Sequence, residues 1–331
     1  MGDFFSRRNF LAAGAAVLAA RRVRAQNLEK LVFQTGWLAQ AEHGGFYQAL
    51  ATGLYRDAGI DCTIRMGGPQ IDTNAVLMAG RADVILSDGL TSFNYVREGL
   101  PFIEIGAIFQ KDPRVLLAHP GMGVAKLEDL KGKTILVANS SRNSYWPWLR
   151  AKFGFADEQI RPYTFSMAPF LADKTLSQQG LLTSEPFDLR RAGVDPVVLL
   201  LADYGFGNYS ETLNTSAKLV AEKPELLQRF VDATINGWIS YLHGDPAPAN
   251  ALIKQANPDM DDDKIAYSRT AMIDNGIVQS GDATQLGIGA MTDARWHRFY
   301  DDMVAAGVAK PGMDFSRGYT TQFVNKRVGL T

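Results

Sequence analysis

The strongest constraint in this sequence is a rhythm. Short runs of β-branched and aromatic residues alternate with longer stretches whose apolar residues recur at helical spacing. Leu31-Val32-Phe33 predicts a strand. Residues 44–58 predict a helix with Phe46, Tyr47, Leu50, Ala51 and Leu54 on one face, stopped at Gly59. A second strand is expected at 61–65, a helix at 73–79, a buried strand at 82–86, a helix at 91–98 and a long apolar strand at 102–109. The middle keeps this grammar, with strands at 115–118, 134–137, 163–165, 180–183 and 197–202 and helices at 127–130 and 145–153. Strands alternating with helices imply parallel β-α units and an α/β fold. After Tyr209 the pattern turns helical, with one long amphipathic helix at 224–242 and a last one at 296–306.

Two positions punctuate this rhythm. Asp112-Pro113 and Asp203-Tyr204-Gly205 each follow a strongly apolar strand, where a chain can cross between lobes. Residues 112–205 are therefore expected to form a second lobe inserted into a first lobe made of 26–111 plus 206–331. Two crossings make a hinge, and a hinged cleft can close on a ligand. The other topology this pattern allows is a single doubly wound domain with a helical tail.

Residues 1–25 are read separately, as a targeting segment. Ser6-Arg7-Arg8-Asn9-Phe10-Leu11 puts paired arginines before an apolar run of 11 residues, 10–20, too short to span a bilayer. Val23-Arg24-Ala25 then supplies a small residue for cleavage before Gln26. The Arg-Arg-x-Phe-Leu order is similar to the bacterial twin-arginine export signal. This leader carries five arginines against Asp3, so the remaining 306 residues have a formal net charge of −5. A periplasmic location is expected.

Composition narrows the class further. Of 331 residues, 46% are apolar and 21% charged, which excludes collagen-like, disordered and disulfide-scaffold chains. The acidic balance gives no support for a nucleic-acid partner. Cys62 is alone, so no intrachain disulfide can form, and the alternating run 60–64 is expected to bury it in a strand.

In open α/β sheets ligands bind outside the carboxyl ends of the strands. The candidate binding residues are those that follow each strand: Trp37, His43, Phe46 and Tyr47, Ser87 and Asp88, Gln110, Asn139, Ser140, Tyr145 and Trp146, Glu185, and Asp203 and Tyr204. Trp37, Tyr47, Phe109, Tyr145, Trp146 and Tyr204 can flank a flat ring, and Asp88 and Glu185 can accept N–H donors. Such a set favours a neutral or cationic nitrogen heterocycle. An anion site would want Arg, Lys and bare backbone N–H groups, and Arg142 is the loop cation at hand. Each candidate also has a structural reading. His43 and Asp88 can cap the following helices, Glu185 suits a helix start, Asp203-Tyr204 can be a plain hinge, and at least one of Tyr145, Trp146 and Trp148 belongs to a core. Trp238 and Trp296 lie on apolar helix faces and are expected in the core.

His43-Gly44-Gly45-Phe46-Tyr47-Gln48-Ala49, followed by Gly53-Leu54-Tyr55-Arg56-Asp57-Ala58-Gly59-Ile60-Asp61, resembles the first helix and second strand of periplasmic solute-binding proteins of ABC importers. Ala82-Asp83-Val84, Leu127-Glu128-Asp129-Leu130-Lys131-Gly132-Lys133 and Pro224-Glu225-Leu226 extend the match over most of 30–300. The nearest group is the thiamine-pyrimidine-synthesis-like family, which also includes sulfonate and nitrate binders. The resemblance implies a two-lobed type II periplasmic-binding architecture. It further implies capture of a small molecule in the cleft, a thiamine-pyrimidine precursor or similar heterocycle, and delivery to a membrane permease and its ATPase by a monomer without cofactor. The alternatives are the same fold holding a sulfonate, nitrate or carboxylate, and a sensory partner that presents ligand to a receptor.

An enzyme is the reading the residues support least. Pyrimidine synthases of the resembling family use a Cys-rich iron motif and consume a histidine, but this chain has one Cys. Its four histidines, His43, His119, His243 and His297, show no metal-ligand spacing. No Gly-x-Ser-x-Gly or P-loop occurs, and Gly287-Ile288-Gly289 lacks the third glycine of a dinucleotide site.

Overall fold

The computed structural model describes residues 28–68 and 70–330. The leader at 1–25 and the cleavage expected at Ala25/Gln26 lie outside the described residues. The strands are β1 (Glu29–Gln34), β2 (Ile60–Arg65), β3 (Val84–Ser87), β4 (Phe102–Phe109), β5 (Arg114–Ala118), β6 (Ile135–Val137), β7 (Ile160–Pro162), β8 (Ser177–Leu181), β9 (Val197–Leu200) and β10 (Ser210–Ser216). They form two five-stranded sheets, ordered β2-β1-β3-β10-β4 and β7-β6-β8-β5-β9. The first sheet thus takes strands from before and after the second, every strand of which lies between residues 114 and 200.

The α/β class holds, but the sheets are mixed rather than purely parallel. β1 runs parallel to β2 and β3, and β6 parallel to β7 and β8. β5 is antiparallel to β8 and β9, and β10 is antiparallel to both β3 and β4. β10 is the strand that helical periodicity missed. Its sequence, Ser-Glu-Thr-Leu-Asn-Thr-Ser, offers one large apolar residue, yet Thr212, Leu213, Asn214 and Thr215 are all fully buried between β3 and β4. A strand covered on both faces normally reads as an apolar run. Here the buried face is polar, so the pattern is hidden.

Smaller departures follow from backbone chemistry. The helix expected at 44–58 is two, Gly44–Ala51 and Leu54–Asp57, parted at Gly53, whose φ of +82° is left-handed. The strand expected at 163–165 ends instead at Pro162, on the sheet's edge, where a missing N–H costs nothing. That shift leaves Tyr163 and Phe165 in a loop. The helix Pro224–His243 packs against Gly44–Ala51 at backbone contact: a Cβ on Gly237 would meet the Gly45 carbonyl oxygen at 2.3 Å. Around this seam Phe33, Phe46, Phe109 and Trp238 form one aromatic core, with Phe33–Phe46 centroids at 4.7 Å and Phe46–Trp238 at 5.6 Å. Trp238 and Trp296 are fully buried, and Cys62 lies buried in β2.

Candidate functional site

A cleft of about 760 Å³ opens between the two sheets. One wall comes from the first sheet: Trp37 in the loop after β1, His43 at the start of its helix, Asn74, Ser87 and Asp88 at the end of β3, and Glu211 on β10. The facing wall carries Arg114 at the start of β5, 140–141 and 143–145, Tyr163, Phe165, Gln179 on β8, Glu185 and Asp188. The strand ends thus converge on one cavity, as the geometry of open α/β sheets requires.

Of the fourteen candidates, Trp37, His43, Ser87, Asp88, Ser140, Tyr145 and Glu185 line this cleft. The other seven are placed elsewhere. Phe46 is fully buried against Phe33 and Trp238, and Tyr47 is buried on the same helix. Gln110 is enclosed, its amide nitrogen donating to the Ala107 and Ala290 carbonyls. Trp146 is the core member of its cluster, with Nε1 donating to Asp157. Asn139, on the short helix Asn139–Asn143, is exposed and lies outside the cavity, whereas its neighbour Ser140 is on the rim. Asp203 is held by Lys111 at 2.8 Å, and with Tyr204 it lines a separate groove of about 410 Å³ beside the crossing. Phe109 and Arg142 are also outside the cleft.

The mouth is aromatic. Trp37 and Phe165, one from each wall, face each other with centroids 5.9 Å apart and planes at 38°, and Tyr163 lies 5.4 Å behind Phe165. The Trp37 loop is pinned by Thr35 Oγ1 donating to the Trp37 carbonyl at 2.9 Å. Gly67 crosses it so closely that a Cβ would meet the Thr35 carbonyl oxygen at 2.4 Å. Phe165 is 63% exposed and has a left-handed φ of +61°. A bulky residue keeps such a backbone only where surroundings impose it, and such strain gathers at ligand clamps.

The floor is rich in carboxylates. Asp88 serves two purposes at once. Its Oδ1 accepts from Thr91 N at 2.9 Å and caps the helix Gly89–Glu98, while Oδ2 lies 3.8 Å from the Arg114 guanidinium. Arg114 is also paired with Asp112, and although burial works against its charge, these two carboxylates raise its pKa. Glu185 accepts from Leu181 N at 2.8 Å and from the Tyr163 hydroxyl at 3.1 Å. Burial pushes its pKa up despite those bonds. Glu211 is pushed up to about 8, first by burial and then by the nearby charges of Glu42 and Asp88. Burial lowers His43 to about 4. With burial holding His43 uncharged, its 3.9 Å approach through Nε2 to Glu211 is not an ion pair. Hydroxyl and amide groups, among them Asn74, Thr91, Asn94, Ser141 and Gln179, share the rest of the lining with the apolar Leu86, Leu90, Met167 and Leu181.

Arg114, Glu211, Tyr163 and Phe165 were not singled out by sequence. Arg114 stands two residues after the expected crossing and was the available signal; Glu211 sits on the strand that polarity concealed. Among the described residues no group of three or more His, Cys, Asp and Glu is placed to hold a metal, and no helix is long and apolar enough to cross a membrane.

Two mixed sheets flanking a ligand-sized cleft define a protein of the periplasmic-binding fold. The periplasmic aliphatic sulphonate binding protein SsuA from Escherichia coli shares this architecture, with a TM-score of 0.66, 14% identity and coverage of 87% of this chain and 91% of that one. So does the desulfurization enzyme DszB, with a TM-score of 0.57, 15% identity and coverage of 89% and 97%. The fold alone therefore does not separate binding from catalysis. At the level of sequence, residues 40–249 match the NMT1/THI5-like family, and the chain belongs to it. The riboflavin-binding protein RibY from Chloroflexus aurantiacus is 25% identical over 319 residues, covering 94% of this chain and 90% of RibY.

Proposed function

We propose that this protein is the solute-binding component of an ABC importer and that its ligand is a flat nitrogen heterocycle of flavin size. The observation that carries the reading is the Trp37–Phe165 pair, one ring from each wall, above a carboxylate- and hydroxyl-lined cleft. A planar ring system sandwiched between two aromatics needs centroids about 7 Å apart, two carbon contact distances. The present 5.9 Å separation would widen by about 1 Å, a small opening of the jaws. The hydroxyl and amide lining suits a polyol tail such as that of riboflavin, the ligand named for RibY. A single thiamine-type pyrimidine would use the same clamp but leave most of a cavity of about 760 Å³ to water. The sulfonate alternative draws on Arg114, but that guanidinium is already occupied by Asp112 and Asp88.

In this reading the lobes 26–111 plus 206–331 and 112–205 close on the ligand, and the exported monomer then docks on a permease driven by an ATPase. No chemical step is assigned to the cleft. Calorimetry and thermal-shift measurements with riboflavin, lumichrome, a pyrimidine, an aliphatic sulfonate and nitrate provide the test. Ligand at about 100 times its Kd should add roughly 2.7 kcal/mol of stability. Riboflavin and lumichrome should stabilise; a response to sulfonate or nitrate alone refutes the heterocycle.

A further inference from the structure

Glu211 combines four features that no other cleft residue shares. It sits on the interior strand β10 yet has a left-handed φ of +46°, a conformation rare for a residue with a long side chain. It lines the cleft. Its Oε2 is enclosed and has no hydrogen-bond partner. The groups facing it leave the carboxyl no stable counter-ion. From the short helix Ala41–His43 come Glu42, itself bonded to Thr183 Oγ1, and His43, whose Nε2 is 3.9 Å away. From the cap of Gly89–Glu98 comes Asp88, and from the crossing come Asp112 and Arg114, already paired with each other. A carboxyl among like charges, with its one cation engaged elsewhere, keeps its proton.

We propose that Glu211 determines specificity by donating a hydrogen bond from its neutral carboxyl to a carbonyl oxygen or ring nitrogen of the bound heterocycle, so that uptake of ligand is linked to a proton. This rests on the heterocycle reading above and adds what that reading lacks, a donor for the acceptor edge of the ring. Asp88 and Glu185 meet N–H donors; Glu211 meets acceptors. The strained backbone supports it, because an ordinary strand conformation would carry this side chain in another direction.

The consequence is a pH dependence of defined sign. Only the protonated form donates, so affinity falls as Glu211 ionises. With half-ionisation at about pH 8, the Kd for riboflavin should be about tenfold weaker at pH 9 than at pH 7. Calorimetry of the wild-type protein at pH 8 in two buffers of different ionisation enthalpy should show uptake of about half a proton per ligand. Glu211→Gln keeps a donor and should bind riboflavin with a flat profile, whereas Glu211→Ala should bind weakly at every pH. The variant also controls for the ring's own titration, which would persist in it. A wild-type Kd that is flat, or that tightens as pH rises, overturns the proposal, as does a slope surviving in Glu211→Gln. Proton uptake is measured on wild type, so the idea stays refutable if a variant misfolds. Failure of riboflavin and lumichrome to bind at any pH sinks the heterocycle reading and this inference with it; binding without proton uptake sinks the inference alone.

Discussion

Replacing Trp37 with Ala tests the clamp directly. A fully enclosed Trp buries about 150–250 Å², so a ring stacked on one face covers roughly 80–100 Å². At about 25 cal/mol per Å² that is roughly 2–2.5 kcal/mol. Stacking geometry adds about 0.5–1.5 kcal/mol, for a gross value near 3 kcal/mol. Part of this is already present without ligand, because Trp37 leans on Phe165 at 5.9 Å and gives up that contact when the ring enters. Taking about 1 kcal/mol off leaves roughly 2, and at about 1.4 kcal/mol per decade the Kd should rise roughly 30-fold. Trp37→Phe keeps a face and should stay within about fivefold of wild type. The assay is calorimetry, with quenching of flavin fluorescence as an independent readout. Trp37 is 36% exposed and lies outside the aromatic core, so the melting temperature of the ligand-free protein should barely move. An Ala variant that folds normally and binds riboflavin within threefold of wild type refutes the sandwich.

Two further expectations follow from strain and burial. Phe165→Gly should separate stability from binding: relief of the left-handed φ, about 1 kcal/mol, offsets the lost contact with Trp37 and leaves the ligand-free stability near that of wild type, while riboflavin affinity drops at least tenfold. Denaturation and calorimetry on one sample check both, and parallel losses would contradict the assignment of strain to the clamp. Glu104, fully buried opposite Asn214 on β10, has both carboxylate oxygens without a partner, and burial pushes it up to about 8 from an ordinary 4.5. Its stabilising contribution is complete below pH 4.5 and is lost as pH climbs through about 8, at up to about 1.4 kcal/mol per pH unit. Glu104→Gln should therefore melt with a shallower decline between pH 5 and 8.5, and an unchanged slope would show that Glu104 is not held neutral.

The sequence alone carried what is local. Apolar runs gave nine of the ten strands to within a few residues, since a period of two or 3.6 is written along the chain wherever one face meets a core. The order of motifs from His43 to Leu226 carried the family, and half of the residues picked by post-strand position do line the cleft, Trp37, Asp88 and Glu185 among them. Tertiary structure decided the rest, for two physical reasons. β10 has a buried face of Thr212 and Asn214 that packs against Glu104 rather than hydrocarbon, so no hydrophobic period marks it and Glu211 stayed hidden. A cleft is also a meeting of distant segments. Nothing near Phe165 in the chain announces Trp37, and nothing near Arg114 announces that Asp88 and Asp112 will take up its charge. Phe46 and Trp146 look the same in sequence as Trp37, and only the packing of their neighbours sends two of the three into the core.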